Sequence, residues 1–248
     1  MQQRIGHLVP STSVGVERWV SQICKPFAIE VAHPIARASL PEVMSGPAIA
    51  PSQSGELTRA ASQLADAGVG AVVWSGSSAD LHGAAHGRAM ARWVEEVTGV
   101  RASTVTLGQI DLLSRRDIVS MALVSAGNEQ TAGRLADTYL AAGFKISSVT
   151  ALGLTTAREA AELPVSRVRR LLLDADSLDA QCIVVAGTEL PVAPVAALVE
   201  RELGKPVYDG ARVAIRTGLE LLGLSVTAPE WGEMFGVPHA AGVCCDTH

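Results

Sequence analysis

Gly70-Ala71-Val72-Val73-Trp74-Ser75-Gly76-Ser77-Ser78 is an apolar run that stops at small and hydroxyl-bearing residues, and a helical pattern follows it. A short, continuous apolar run of this kind reads as a strand buried on both faces of a parallel sheet. The turn behind such a strand aims backbone N–H groups and a helix N-terminus at one point, where a carboxylate or phosphate is held. More than one hundred residues later, Cys182-Ile183-Val184-Val185-Ala186-Gly187-Thr188-Glu189-Leu190 repeats the pattern of apolar run, glycine and hydroxyl. Two such turns predict one ligand held between two similar halves.

Working outward, strands and helices alternate. Arg4–Pro10 reads as the first strand, with Ser11-Thr12-Ser13 as a hydroxyl-rich turn ahead of a helix from Val14 to Cys24. A strand over Phe27–Ala32 places His33 at its C-terminal end, where ligands gather in open α/β sheets. A Pro/Ser/Gly-rich loop over Ser45–Gly55 precedes a helix to Ala67 and then the quoted strand. A helix over Gly83–Gly99, a strand over Arg101–Leu107 and a short helix ending near Arg115-Arg116 follow. The pattern then restarts. Strands are expected at 118–124, 145–152, 182–186 and 206–208, with helices at 128–142, 156–161, 165–177, 194–203 and 210–222. The expected fold is α/β: two pseudo-symmetric, doubly wound parallel-sheet halves with the active-site cleft between them. Residues 1–116, completed by 223–248, form the first half, and 117–222 the second.

Composition narrows the function. The 248 residues are 48% hydrophobic and only 4% aromatic, with mean hydropathy +0.27, so an aliphatic core is expected. A formal net charge of -5 without a basic cluster argues against nucleic acid or an anionic membrane surface as partner. A small-molecule carboxylate is the expected ligand. The N-terminus enters a strand without an apolar signal region, and no apolar run is long enough to span a bilayer, so a cytoplasmic protein is expected. A homo-oligomer is compatible with a sequence that does not fix the oligomeric state. Cys24, Cys182, Cys244 and Cys245 show no metal-type spacing, and Cys24 and Cys182 read as buried small hydrophobes.

Several familiar signatures are missing. Gly68-Val69-Gly70 precedes a strand instead of following one, no Gly-Lys-Ser/Thr phosphate loop exists, and Gly76-Ser77-Ser78-Ala79 lacks the second glycine of a nucleophile elbow. Asp80, His82 and His86 could make a metal site, since His82 and His86 lie four apart and would share a helix face, but Gly83 at the helix start and the lack of a zinc-hydrolase glutamate argue against a metal there. No metal and no cofactor are expected. Glu189, directly behind the second turn, is a candidate acid/base, weighed against the plainer reading of a helix cap. His33 is the second candidate, weighed against an ordinary loop histidine.

These residues resemble the aspartate/glutamate racemase superfamily, in its branch containing arylmalonate decarboxylase and maleate isomerase. Arg4-Ile5-Gly6-His7-Leu8-Val9-Pro10-Ser11 looks like the opening strand and loop, and Gly76-Ser77-Ser78 like the decarboxylase's Gly-Thr-Ser turn. Gly83-Ala84-Ala85 with Thr98-Gly99, Ala122-Leu123-Val124-Ser125, Leu152-Gly153-Leu154-Thr155, Gly204-Lys205-Pro206-Val207 and Gly232-Glu233-Met234-Phe235 follow in order. The resemblance implies two pseudo-symmetric halves with the substrate carboxylate between them, and catalysis by cysteines. Here the two cysteine positions fall on Gly76 and Gly187. The branch's tyrosine falls on Gly127, an expected asparagine near Ala157, and the isomerase's first-loop asparagine on Ser13. A one-residue slip would put Ser75 at the first cysteine position, where serine without an adjacent base is a poor nucleophile. Cysteine-based racemization and isomerization are therefore disfavoured.

What remains is an oxyanion cradle. Ser11, Ser13, Gly76, Ser77, Ser78, Gly187 and Thr188 are expected to hold the anion, with the proton supplied by water, Glu189 or His33. The leading expectation is a cofactor-independent, decarboxylase-like lyase acting through an enediolate-type intermediate. The alternatives are a hydrolase or hydratase using a carboxylate- or His-activated water, and a family member that has lost catalysis and only binds a ligand.

Overall fold

The computed structural model describes residues 3–27, 29–39, 51–76 and 82–236. The first half contains β1 (Gln3–Pro10), α1 (Gly15–Cys24), β2 (Val31–Ala32), β3 (Ile35–Ala38), α2 (Gly55–Asp66), β4 (Ala71–Trp74), α3 (Gly83–Thr98), β5 (Arg101–Thr104) and α4 (Val105–Arg115). The second contains β6 (Ser120–Ser125), α5 (Glu129–Ala141), β7 (Lys145–Ala151), α6 (Ala157–Ala161), α7 (Val165–Ala175), β8 (Cys182–Ala186), α8 (Ala193–Leu203) and β9 (Val207–Asp209), followed by α9 (Gly210–Leu221).

Both sheets are parallel throughout the described residues. The first runs β2-β1-β4-β5 with β3 also on β1, and the second runs β7-β6-β8-β9. Taken within each half, the strand order is the same, so the architecture is duplicated as the alternating sequence pattern predicts. β4 and β8 are the matching interior strands, buried along their whole length.

Period-two alternation sorts each strand between two layers. Ile5, Val73, Leu123, Cys182 and Val184 face one continuous apolar cluster shared by both halves, with α1, α4 and α9 packed in it. The other faces take Leu8, Val72 and Trp74 against α2 and α3, and Ala122, Val124, Ile183 and Val185 against α7 and α8. Although α9 follows β9, it lies against β1, β4, β5, α1 and α4 of the first half. Buried Gln109 on α4 adds a polar tie: its amide donates to Val185 O and Tyr208 O, 3.1 Å each, and accepts from the Tyr139 hydroxyl at 2.7 Å.

Two expectations need correction. The strand expected over Arg101–Leu107 ends at Thr104, because the Thr104 side chain accepts from Leu107 N and caps α4. Among the described residues, the strand expected over Phe27–Ala32 is strand only at Val31–Ala32, and the edge resumes at Ile35. Val31 pairs with Gln3 and Ile35 with His7, so β2 and β3 form one interrupted edge along β1, and His33 sits at the interruption. Within the Pro-rich loop, residues 45–50 lie outside those described, Pro51–Gln53 is a 3-10 turn, and Ser54 caps α2. No helix among the described residues is long and apolar enough to cross a membrane.

Candidate active site

The two repeated turns meet. Beyond β4 the chain passes through Ser75 and Gly76; beyond β8 it turns at Gly187, whose φ of +81° suits glycine, into Thr188 and Glu189. The Thr188 hydroxyl lies 3.2 Å from Ser75 O, directly across the halves.

α1 begins at the same point. Val14, at its N-cap, offers no side-chain cap, which leaves the first-turn N–H groups without a local partner. Glu189 supplies the cap from the other half. One oxygen accepts from Ser13 Oγ at 2.5 Å and Thr188 Oγ1 at 3.0 Å, and the other from Val14 N at 3.2 Å and Gly15 N at 3.1 Å. A carboxylate is thus held by two hydroxyls and two backbone N–H groups at the positive end of a helix dipole. Gly15 is required by this contact, since a Cβ there would stand 1.9 Å from Thr188 O. Gly15→Ala should push α1 off the second half and destabilise the protein by about 1–3 kcal/mol, read in a urea melt. An unchanged midpoint would show that the contact yields freely.

Of the residues expected to hold an anion, Ser13 and Thr188 are brought together on one carboxylate, which belongs to the chain itself. Ser11 is exposed, and its carbonyl accepts from Arg37 at 3.1 Å. Gly76 is enclosed: a Cβ there would lie 2.7 Å from both Pro10 Cδ and Trp74 Cζ2, so the position accepts no side chain without movement. Ser77 and Ser78 lie outside the described residues. Arg37, which did not stand out in the sequence, binds the Ser13 carbonyl at 2.5 Å and pairs with Glu17, placing a cation beside the Ser11–Ser13 turn.

His33 lies away from this junction. Its Nδ1 is 3.0 Å from His7 Nε2, its Nε2 is 3.2 Å from Cys24 Sγ, and His7 Nδ1 is 3.3 Å from Ser75 Oγ. Two sequence readings change here. Ser75 does have an adjacent imidazole, 3.3 Å away, because register along the parallel β1–β4 pair sets His7 opposite Val73, two residues before Ser75 on the same face. Cys24 is a partly exposed group bonded to histidine, whereas Cys182 is buried in the core as read. Burial holds the imidazoles down, His7 at about 3 and His33 at about 4, and pushes the Cys24 thiol up to about 12. The His82 and His86 rings pair with centroids 5.2 Å apart. Asp80 lies outside the described residues, and among those described no group of three His, Cys, Asp or Glu side chains gathers to hold a metal ion.

Comparison with known families matches residues 52–235, about three-quarters of the chain, to the arylmalonate decarboxylase family. No curated protein sequence matches. Among solved structures, maleate isomerase from Pseudomonas putida in a cysteine-to-alanine form with maleate is similar, at 19% identity and TM-score 0.85, over 95% of this chain and 98% of that one. Maleate cis-trans isomerase from Nocardia farcinica, with a covalently bound succinylcysteine intermediate, is 24% identical over 95% and 98%, at TM-score 0.84. Unliganded arylmalonate decarboxylase is 20% identical over 94% and 99%, at TM-score 0.79. At these identities the likeness shows a shared two-half α/β fold.

Proposed function

The chain belongs to the arylmalonate decarboxylase family, and from that premise we propose that it is a cytoplasmic, cofactor-independent lyase that decarboxylates a small carboxylic acid through an enediolate-type intermediate. The observation that carries this reading is the carboxylate already held between the halves by Ser13, Val14 N, Gly15 N and Thr188. Donors fixed in place before reaction stabilise developing negative charge without reorganising, and losing one commonly lowers the rate roughly a hundredfold or more.

In the proposed reaction the substrate carboxylate takes over these four donors and displaces Glu189. The bond between the α-carbon and the departing carboxylate breaks, carbon dioxide leaves, and the electron pair passes into the retained carboxylate as an enediolate. Glu189, released beside the cradle, takes up a proton from water and passes it to the α-carbon. His33 is too deeply engaged with His7 and Cys24 to share that role, so the acid/base assignment rests on Glu189 alone.

The test is proton NMR in deuterated buffer with a panel of substituted malonates, maleate and hydroxy and keto acids. Loss of carbon dioxide with deuterium entering the α-position is the expected result. Glu189→Gln should lower the turnover by roughly 10²- to 10⁴-fold, the usual contribution of a positioned acid. Glu189→Ala should also lower stability by about 2–3 kcal/mol, because the α1 N-terminus loses the cap that the opposite half supplies. A folded protein that is silent across the panel would sink the lyase reading and favour water-activating chemistry or simple binding. Glu189→Gln at full activity would leave the lyase standing and remove Glu189 as its acid.

A further inference from the structure

At the opposite end of α1 from Glu189, about 15 Å along the helix, a cavity of about 660 Å3 opens between α1, β2 and β3. Val20, Phe27, Ile29, Val31 and Ile35 give it an apolar wall, and Cys24 and His33 line it together.

The hydrogen bonds behind these two residues accommodate one set of histidine tautomers that leaves a base at Cys24. In that set Ser75 Oγ donates to Val73 O, 3.4 Å away. Ser75 Oγ then accepts from His7 Nδ1–H. This leaves His7 Nε2 as an acceptor for His33 Nδ1–H. His33 Nε2 is therefore a bare lone pair facing the Cys24 thiol. A nucleophile, a base within hydrogen-bond reach of it, and a third group orienting the base make the arrangement by which weak nucleophiles are activated.

We propose that this cavity is a second, nucleophilic site, independent of the junction at Glu189, in which Cys24 takes an acyl group carried on a short, uncharged apolar body. In the step, Cys24 Sγ attacks the carbonyl carbon of an activated ester, and the S–C bond forms as the S–H proton passes to His33 Nε2. The C–O bond to the leaving group breaks, the leaving oxygen departs with its electron pair, and His33 later releases the proton to water. His7 is a positioning residue. Nothing is oxidised or reduced.

Burial shapes how the step proceeds. The thiol is pushed up to about 12 and the imidazole down to about 4, so the thiolate is not formed beforehand and proton transfer accompanies attack. The charged groups around the cavity are Glu17 on α1, Lys25 at its C-cap and Glu30 before β2, while His7 on β1 stands behind His33, whose imidazole is held down by burial. A base that is neutral above about pH 4 predicts an acylation rate nearly level between pH 5.5 and 8.5. An unassisted thiol would instead speed up tenfold per pH unit toward 12.

The experiment uses the full chain carrying Cys244→Ser and Cys245→Ser, with p-nitrophenyl hexanoate as probe. One nitrophenolate per chain should be released in a burst, with the hexanoyl group found on the Cys24 peptide by mass spectrometry and none on Cys182. His33→Gln should slow this acylation at pH 7 by roughly a hundredfold or more and convert the level pH profile to the tenfold-per-unit slope. A folded parent that leaves Cys24 unacylated overturns the proposal. So does a His33→Gln protein that acylates at the parental rate with the parental profile, which marks an accessible thiol and nothing further. Should His33→Gln fail to fold, the parent's own profile decides: level supports the site, tenfold per unit overturns it.

Discussion

Arg212→Ala is expected to lower stability by roughly 3–5 kcal/mol, the usual loss when one member of a buried ion pair is removed. The Arg212 side chain is fully buried on α9. Its guanidinium donates to the Asp209 carboxylate, to Val207 O and, at 2.5 Å, to Trp231 O, and it stands 3.6 Å from Glu200. Both acids hold backbone in turn. Asp209 accepts from Ala211 N and Arg212 N at 3.1 Å, capping α9, and Glu200 accepts from Val207 N at 3.0 Å and Glu233 N at 2.7 Å. Burial pushes the Glu200 carboxyl up, and the Arg212 charge is the main force opposing that shift. Without the arginine, two buried carboxylates face each other with no cation, and the Trp231 segment loses its anchor. For a chain of this size the loss corresponds to a fall in melting temperature of roughly 10 °C. A loss under about 1 kcal/mol in urea would show that water enters and replaces the guanidinium.

Acidification from pH 6.5 to 4.5 should produce a comparable loss through two histidines. Burial, and secondarily the neighbouring His33, holds His7 at about 3, and burial holds His33 at about 4, against 6.5 in the unfolded chain. Over this interval the unfolded chain binds protons that the folded one refuses, so stability falls as pH falls. With one pKa unit equivalent to 1.36 kcal/mol, the two together contribute on the order of 4 kcal/mol across those two pH units. Urea melts at half-unit steps measure the slope, and His33→Gln should reduce it by about one proton. An unchanged slope in that variant would place the acid sensitivity elsewhere, in the carboxylates.

The readable part of this protein was the part written locally. Apolar runs ending at Ser75-Gly76 and Gly187-Thr188 identify the two interior strands, alternation separates Val73 from Val72 and Trp74, and the repeated order of elements predicts the duplicated sheets. Ser13, Thr188 and Glu189 could each be named because hydroxyls and a carboxylate stand directly behind strand ends. That Glu189 would be gripped by Ser13 could not be named, because 176 residues separate the two and only the packing of one half on the other brings them within 2.5 Å. The same holds for His7 and Ser75, joined by strand register across 68 residues, and for the Cys24–His33 contact, which depends on β2 and β3 forming one interrupted edge. Arg212 carries no local mark of burial, since an arginine on an otherwise amphipathic helix reads as solvated until the tail closes over it. By itself the sequence determined which residues lie on which face of each strand and helix, because backbone periodicity is a property of neighbours along the chain. Tertiary structure alone decided which side chains meet, because a hydrogen bond requires contact within about 3 Å, and only the packing of distant segments sets that distance.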